Sequence, residues 1–208
     1  MNNPLDIDIR GTNFRIYYEE DRFINDIIKN NEYKDVFNDL VVIDLGCNIG
    51  AFSLWIYEYS KIIYAIDPAP ENIELLNQTA TYNNLSKLRT FVMAISGGGM
   101  REIDDQHSPS GGSWKLTNGT QAQHMVPTQT IGQFMDSQNI EYVDILKIDV
   151  EGAEEEIFES SSFGEVAPRI KTIIGEYHNG KCPTKRLEAL GYRVTDNKDC
   201  SKFVARRK

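Results

Sequence analysis

The sequence predicts a single doubly wound α/β domain, a mainly parallel sheet with helices on both faces. Three observations carry that expectation. Short apolar runs rich in β-branched residues alternate with helix-period stripes through most of the chain, the order that strand–helix–strand crossovers require. The first strong run leads straight into an acidic, glycine-rich turn, and the chain closes on two strand-like runs joined by a tight turn. At 208 residues the chain fits one domain, residues 1–208, large enough to bury a core without disulfides or a structural metal.

Buried strands are expected at Val41 to Leu45, Ile62 to Ile66, Leu88 to Ile95, Val143 to Val150 and Ile170 to Tyr177. Helical stripes lie between them: Phe52, Trp55, Ile56 and Tyr59; Ile73, Leu76 and Ala80; Ile131, Phe134 and Met135, the last opened by a Thr130-x-x-Gln133 capping box. Ala153, Ile157 and Phe158 make another, and Leu187 and Leu190 a shorter one that stops at Gly191. Tyr192 to Asp196 and Lys202 to Arg206 flank the turn-rich Asp196-Asn197-Lys198-Asp199, which predicts a C-terminal antiparallel hairpin and seven strands in all. Residues 1–38 read as a hairpin around Gly11-Thr12-Asn13 followed by a helix carrying Phe23, Ile24, Ile27 and Ile28, placed as a cap on the site. Residues 96–125 are rich in glycine and read as an irregular insertion near the acceptor, containing His107, Trp114 and His124.

A net charge of −9 repels polyanions, so a nucleic-acid partner is not expected. No apolar run approaches the ~18 residues needed to cross a bilayer, which excludes a membrane role. The opening Met1-Asn2-Asn3-Pro4-Leu5-Asp6 lacks the basic and then apolar pattern of an export signal, so a cytoplasmic address is expected. Cys47, Cys182 and Cys200 form no CxxC pair and read as packing or surface thiols.

The run Val41-Val42-Ile43-Asp44-Leu45-Gly46-Cys47-Asn48-Ile49-Gly50 is a buried strand, a glycine turn and the start of a helix, which presents backbone N–H groups to a bound cofactor. Asp44, Gly46, Asn48 and Gly50 are its candidate binding residues. The dinucleotide pattern GxGxxG is broken by Asn48, and an acid before the first glycine suits a cationic ligand. Asp67 ends the second strand, where a carboxylate reaches both ribose hydroxyls of an adenosine; the alternative is that it caps the helix opened by Pro70.

After the fourth strand comes Lys147-Ile148-Asp149-Val150-Glu151-Gly152-Ala153-Glu154. With this block the sequence resembles the FkbM family of methyltransferases, whose D-x-G-x-N-x-G, P-x-P-x-N and K-I-D-V-E-G-x-E motifs stand here in order at Asp44 to Gly50, Pro68 to Asn72 and Lys147 to Glu154. Asp67 stands where the family more often has Glu. The resemblance implies a Rossmann-like class I methyltransferase, whose parallel sheet closes on an antiparallel hairpin. It also implies S-adenosyl-L-methionine as cofactor and a hydroxyl of a small molecule or sugar as acceptor. Two further readings stay open: an NAD-type oxidoreductase, and a catalytically silent cofactor-binding module.

Asp149, Glu151, Glu176 and His178 are expected on one rim as candidate catalytic residues, because the fourth and fifth strands end beside each other, and Asp149, where the fourth strand meets the cofactor crevice, is a candidate cofactor-binding residue as well. Methyl transfer to oxygen needs a proton removed, and His178 is the candidate general base, its basicity raised by the carboxylates. The alternative is a divalent cation on Asp149, Glu176 and His178. Glu154, Glu155 and Glu156 read as a solvated first helical turn.

Overall fold

In the computed structural model, residues 5–9, 11–16, 39–104, 115–117, 125–178, 180–199 and 201–208 are described. The strands are β1 (Leu5–Ile9), β2 (Thr12–Ile16), β3 (Leu40–Leu45), β4 (Ser60–Asp67), β5 (Leu88–Val92), β6 (Ala94–Ile95), β7 (Gly99–Asp104), β8 (Lys115–Thr117), β9 (Met125–Gln129), β10 (Val143–Ile148), β11 (Ile170–Glu176), β12 (Tyr192–Asn197) and β13 (Lys202–Arg207). The helices are α1 (Ala51–Ile56), α2 (Pro70–Tyr82), α3 (Ile131–Ser137), α4 (Glu154–Glu159), α5 (Ser161–Val166) and α6 (Thr184–Ala189). No helix among the described residues is long and apolar enough to cross a membrane.

The central sheet has seven strands in the order β12-β13-β11-β10-β3-β4-β5. Neighbours from β11 to β5 are parallel, and β13 runs antiparallel to both β11 and β12. The expected parallel sheet with a C-terminal antiparallel hairpin is therefore present, and the last strand, not β12, lies against β11. Strand alternation splits the core into two layers. Ile43, Leu45, Leu146 and Ile148 pack with α3, α4 and α5 through Phe134, Phe158 and Phe163. Val42, Ile63, Ala65 and Ile145 pack with α1 and α2 through Phe52, Trp55 and Leu76. Each fully buried Phe or Leu adds roughly 1.5–3 kcal/mol, so both layers are needed to hold the sheet.

From β3 the chain runs outward through β4 and β5, then returns to β10 on the other side of β3. The carboxyl ends of β3 and β10 are thus the topological switch point, where open α/β sheets leave a crevice.

Four sequence expectations change. The run Leu88 to Ile95 is two strands, because Ala94 and Ile95 leave the main sheet and pair with β9. The described residues of the insertion include strands β7 and β8, which join β6 and β9 in a small sheet ordered β6-β9-β7-β8. Gly97 N donates to Glu156 Oε1 at 2.8 Å, which ties this sheet to α4. Helix α5 was not anticipated: it is short, carries the poor helix former Gly164, and is started by Ser160, whose Oγ accepts from Phe163 N at 3.1 Å. The β1–β2 hairpin docks at the amino ends of the strands, through Phe14 against Tyr57 and through Arg15 N donating to Asn83 Oδ1 at 2.9 Å. This hairpin therefore does not cap the crevice, and Asn83 anchors it from the end of α2. Phe23 to Ile28, His107, Trp114, His124 and Cys200 lie outside the described residues.

Candidate active site

The turn after β3 follows a left-handed path: φ is +68° at Gly46, +49° at Asn48 and +93° at Gly50. Gly46 N and Cys47 N both donate to Ile66 O, at 2.9 and 3.0 Å, so the turn is hung from the end of β4. A Cβ on Gly46 would overlap the Asp149 carbonyl oxygen, and one on Gly50 would overlap the Leu76 side chain. These glycines are required by the chain's own packing at the switch point before any ligand arrives.

Asp44 is wholly buried. Its Oδ2 accepts from Ser53 Oγ at 2.6 Å, and its Oδ1, which accepts no hydrogen bond, faces Lys147 Nζ at 3.5 Å. Burial pushes the Asp44 carboxyl up, against the pull of the Lys147 ammonium. The cation that Asp44 was expected to meet is thus a side chain of the protein. Lys147 also donates to Gly46 O at 2.8 Å and lies 3.5 Å from Asp149 Oδ2, so one buried ammonium joins the turn after β3 to the end of β10.

Asp67, 5 % exposed, organises the same turn. Oδ1 accepts from Ala69 N at 3.0 Å and Asn72 Nδ2 at 3.0 Å; Oδ2 accepts from Asn48 N at 2.9 Å. A carboxylate offers about four lone-pair positions, so three are filled and one, on Oδ2, is left. That leaves room for one further donor where the sequence predicts two, and Asp67 also anchors the start of α2 through Ala69 N and the Asn72 side chain, without capping the helix's own first N–H groups. Burial raises the Asp67 carboxyl, opposed by these donors.

The turn after β10 is built from side chains. Glu154, 3 % exposed, turns back so that Oε1 accepts from Val150 N at 3.1 Å and Gly152 N at 3.3 Å. The same oxygen lies 2.9 Å from His178 Nδ1. Burial would raise this carboxyl, but the hydrogen bond and charge of His178 hold it below the usual range. This corrects the reading of Glu154 as solvated; the first helical turn buries one of its three acids and exposes Glu156, which binds the insertion.

His178 Nε2 lies 3.7 Å from Asp149 Oδ1 and 3.4 Å from Glu151 Oε2. Its hydrogen bond to Glu154 outweighs burial, and with the charges of Glu154, Glu151 and Asp149 raises its pKa from 6.5 to about 9. The carboxylates that raise its basicity also favour its protonated form, so service as a base would require that proton to be displaced first. Asp149, Glu151 and His178 converge; Glu176 does not join them, although Asp149 is close enough to add to the burial that raises its carboxyl. The expected set of Asp149, Glu176 and His178 is corrected to Asp149, Glu151 and His178. The physical reason is the turn: with Glu151 at φ +52° the chain doubles back on Asp149 within two residues.

Two side chains of the candidate site were not picked out for it from the sequence: Lys147, which was passed over, and Glu154, whose place in an acidic first helical turn reads as solvated. A lysine inside the apolar run Ile145-Leu146-Lys147-Ile148 is itself a signal, since a buried cation needs a partner on the same face.

Residues 44–194 match the Methyltransferase FkbM domain. An FkbM methyltransferase from Methylobacillus flagellatus superposes with a TM-score of 0.58 at 12% identity, over 89% of this chain and 48% of that one. An rRNA methylase from Streptococcus thermophilus gives 0.51 at 8% identity, over 88% and 96%. At such identities these are likenesses of fold. Among curated proteins, an uncharacterised RNA methyltransferase of Bacillus cereus is 36% identical over 58 residues, and one of Oceanobacillus iheyensis 37% over 57. Those segments span 28% and 27% of this chain but only 13% and 12% of the relatives' own lengths. With the family domain running from Asp44, through both turns of the crevice, to Val194 in β12, the chain belongs to the FkbM methyltransferase family.

Proposed function

We propose that the protein is an S-adenosylmethionine-dependent O-methyltransferase acting on a hydroxyl of a small molecule or sugar. The observation that carries this reading is the meeting of the two turns, Gly46 against the Asp149 carbonyl, with the Glu154–His178 pair beside them. When bound, the cofactor supplies a methyl group on a sulfonium. Asp67, through the open position on Oδ2, accepts one ribose hydroxyl, and the Gly46–Gly50 turn presents main chain to the rest. Asp149, Glu151 and His178 receive the acceptor hydroxyl, orient it and handle the proton it loses. The donor set suits a polar, uncharged or cationic acceptor; the net charge of −9 weighs against a nucleic acid.

Calorimetric titration with S-adenosylhomocysteine, followed by transfer of a labelled methyl group to a panel of polyhydroxylated acceptors and to RNA, tests the reading. Binding with transfer to a hydroxyl supports it. NAD binding in its place favours the oxidoreductase reading, cofactor binding with no transfer favours the silent module, and transfer to RNA moves the acceptor to the class in the curated relatives' names.

A further inference from the structure

We propose that Asp149, Glu151 and His178 bind one first-row divalent cation such as Mn2+ or Zn2+, with Glu154 and Lys147 supporting two of the ligands from behind. The inference rests on the methyltransferase reading only for the use the ion is put to. One ligand atom from each residue lies within 4.8 Å of the other two. The separations of 3.4 and 3.7 Å from His178 Nε2 exceed ordinary hydrogen-bond lengths. They approach instead the ~3.0–3.4 Å that separates neighbouring ligand atoms each about 2.1 Å from a shared ion.

This is more than a group of acids at a surface. His178 is oriented through Nδ1 by Glu154 at 2.9 Å, and Glu154, itself almost wholly buried, is held by Val150 N and Gly152 N. A carboxylate behind a ligating imidazole is the arrangement that fixes its tautomer and direction in metal sites. Asp149 is supported in the same manner, with Lys147 Nζ 3.5 Å from Oδ2 while Oδ1 faces the imidazole. The imidazole in the set favours a transition metal such as Zn2+ over Mg2+ or Ca2+, and the two carboxylates also suit Mn2+. Three protein ligands leave positions open, where an acceptor hydroxyl would be polarised by the ion.

The test is Mn2+ uptake by the chelator-treated full chain, read by the paramagnetic resonance of free Mn2+ and by calorimetry. One equivalent should bind. Glu151→Gln and His178→Gln should each weaken uptake by about tenfold or more, Glu154→Gln by about tenfold, and Glu176→Gln by less than about twofold. Melting temperature and S-adenosylhomocysteine affinity in chelator, measured on each variant, confirm that the fold is kept. No uptake by folded wild type overturns the proposal, and so does uptake undiminished in the Glu151→Gln/His178→Gln double variant. Cofactor binding without Mn2+ uptake overturns the ion alone; Mn2+ uptake without cofactor binding supports the ion and overturns the cofactor reading.

Discussion

The turn after β3 is shaped by main chain, with left-handed glycines and N–H groups hung on Ile66 O, whereas the turn after β10 is shaped by ionisable side chains that converge on His178. The two touch at Gly46 and Asp149 and are joined by Lys147. A surface set by backbone geometry keeps its form across pH. One set by charges responds to protons and ions. In the proposed reading, a half set mainly by main chain, with Asp67 and Lys147 buried behind it, faces the cofactor, and a half set by partly exposed charges, more responsive to protons and ions, faces the acceptor.

The largest effect should come from breaking the backbone half. Gly46→Val places a β-branched side chain where the Asp149 carbonyl stands, in a left-handed position, and should cost more than about 4 kcal/mol, a large share of the ~5–15 kcal/mol stability of a typical domain. Urea unfolding checks it, and a variant that folds normally would show that the two turns do not touch. Lys147→Met should follow, costing about 3–5 kcal/mol because Asp44 is left buried and unpaired; adding Asp44→Asn should recover part of that loss. Asp67→Ala should weaken S-adenosylhomocysteine binding by more than about tenfold, since Asn48 N and the ribose lose a charge-assisted acceptor together.

The responsive half should show itself in pH. The folded-state pKa of His178 is raised from 6.5 to about 9, so its contribution to stability is full below 6.5 and is lost as pH climbs through about 9. In chelator, wild type should lose stability relative to Glu154→Gln between about pH 6 and about pH 10, and parallel profiles would contradict the pairing. The smallest change is expected at Glu176→Gln, within about 0.5 kcal/mol, because Glu176 stands outside the convergent set.

The same contrast explains what was legible in the sequence. The β3 turn could be read because glycine spacing encodes a backbone path, and the strands could be read because β-branched runs and turn residues are local signals. The hairpin of β12 and β13 followed from Asp196 to Asp199 in the same way. The β10 turn was half legible: its acids were evident, but choosing Glu151 over Glu176 depends on a left-handed φ at a non-glycine residue, and the burial of Glu154 depends on a partner 24 positions away. The docking of the N-terminal hairpin at the far ends of the strands was likewise hidden, since it turns on Asn83 meeting Arg15 across 68 positions.

Titration of the chelator-treated wild-type chain with S-adenosylhomocysteine tests the central claim most directly, that the switch point between β3 and β10 is a cofactor site. Binding in the micromolar range, at least about tenfold weaker in a folded Asp67→Ala variant, is the predicted result. No heat with folded wild-type protein, or an affinity unchanged by Asp67→Ala, would contradict it.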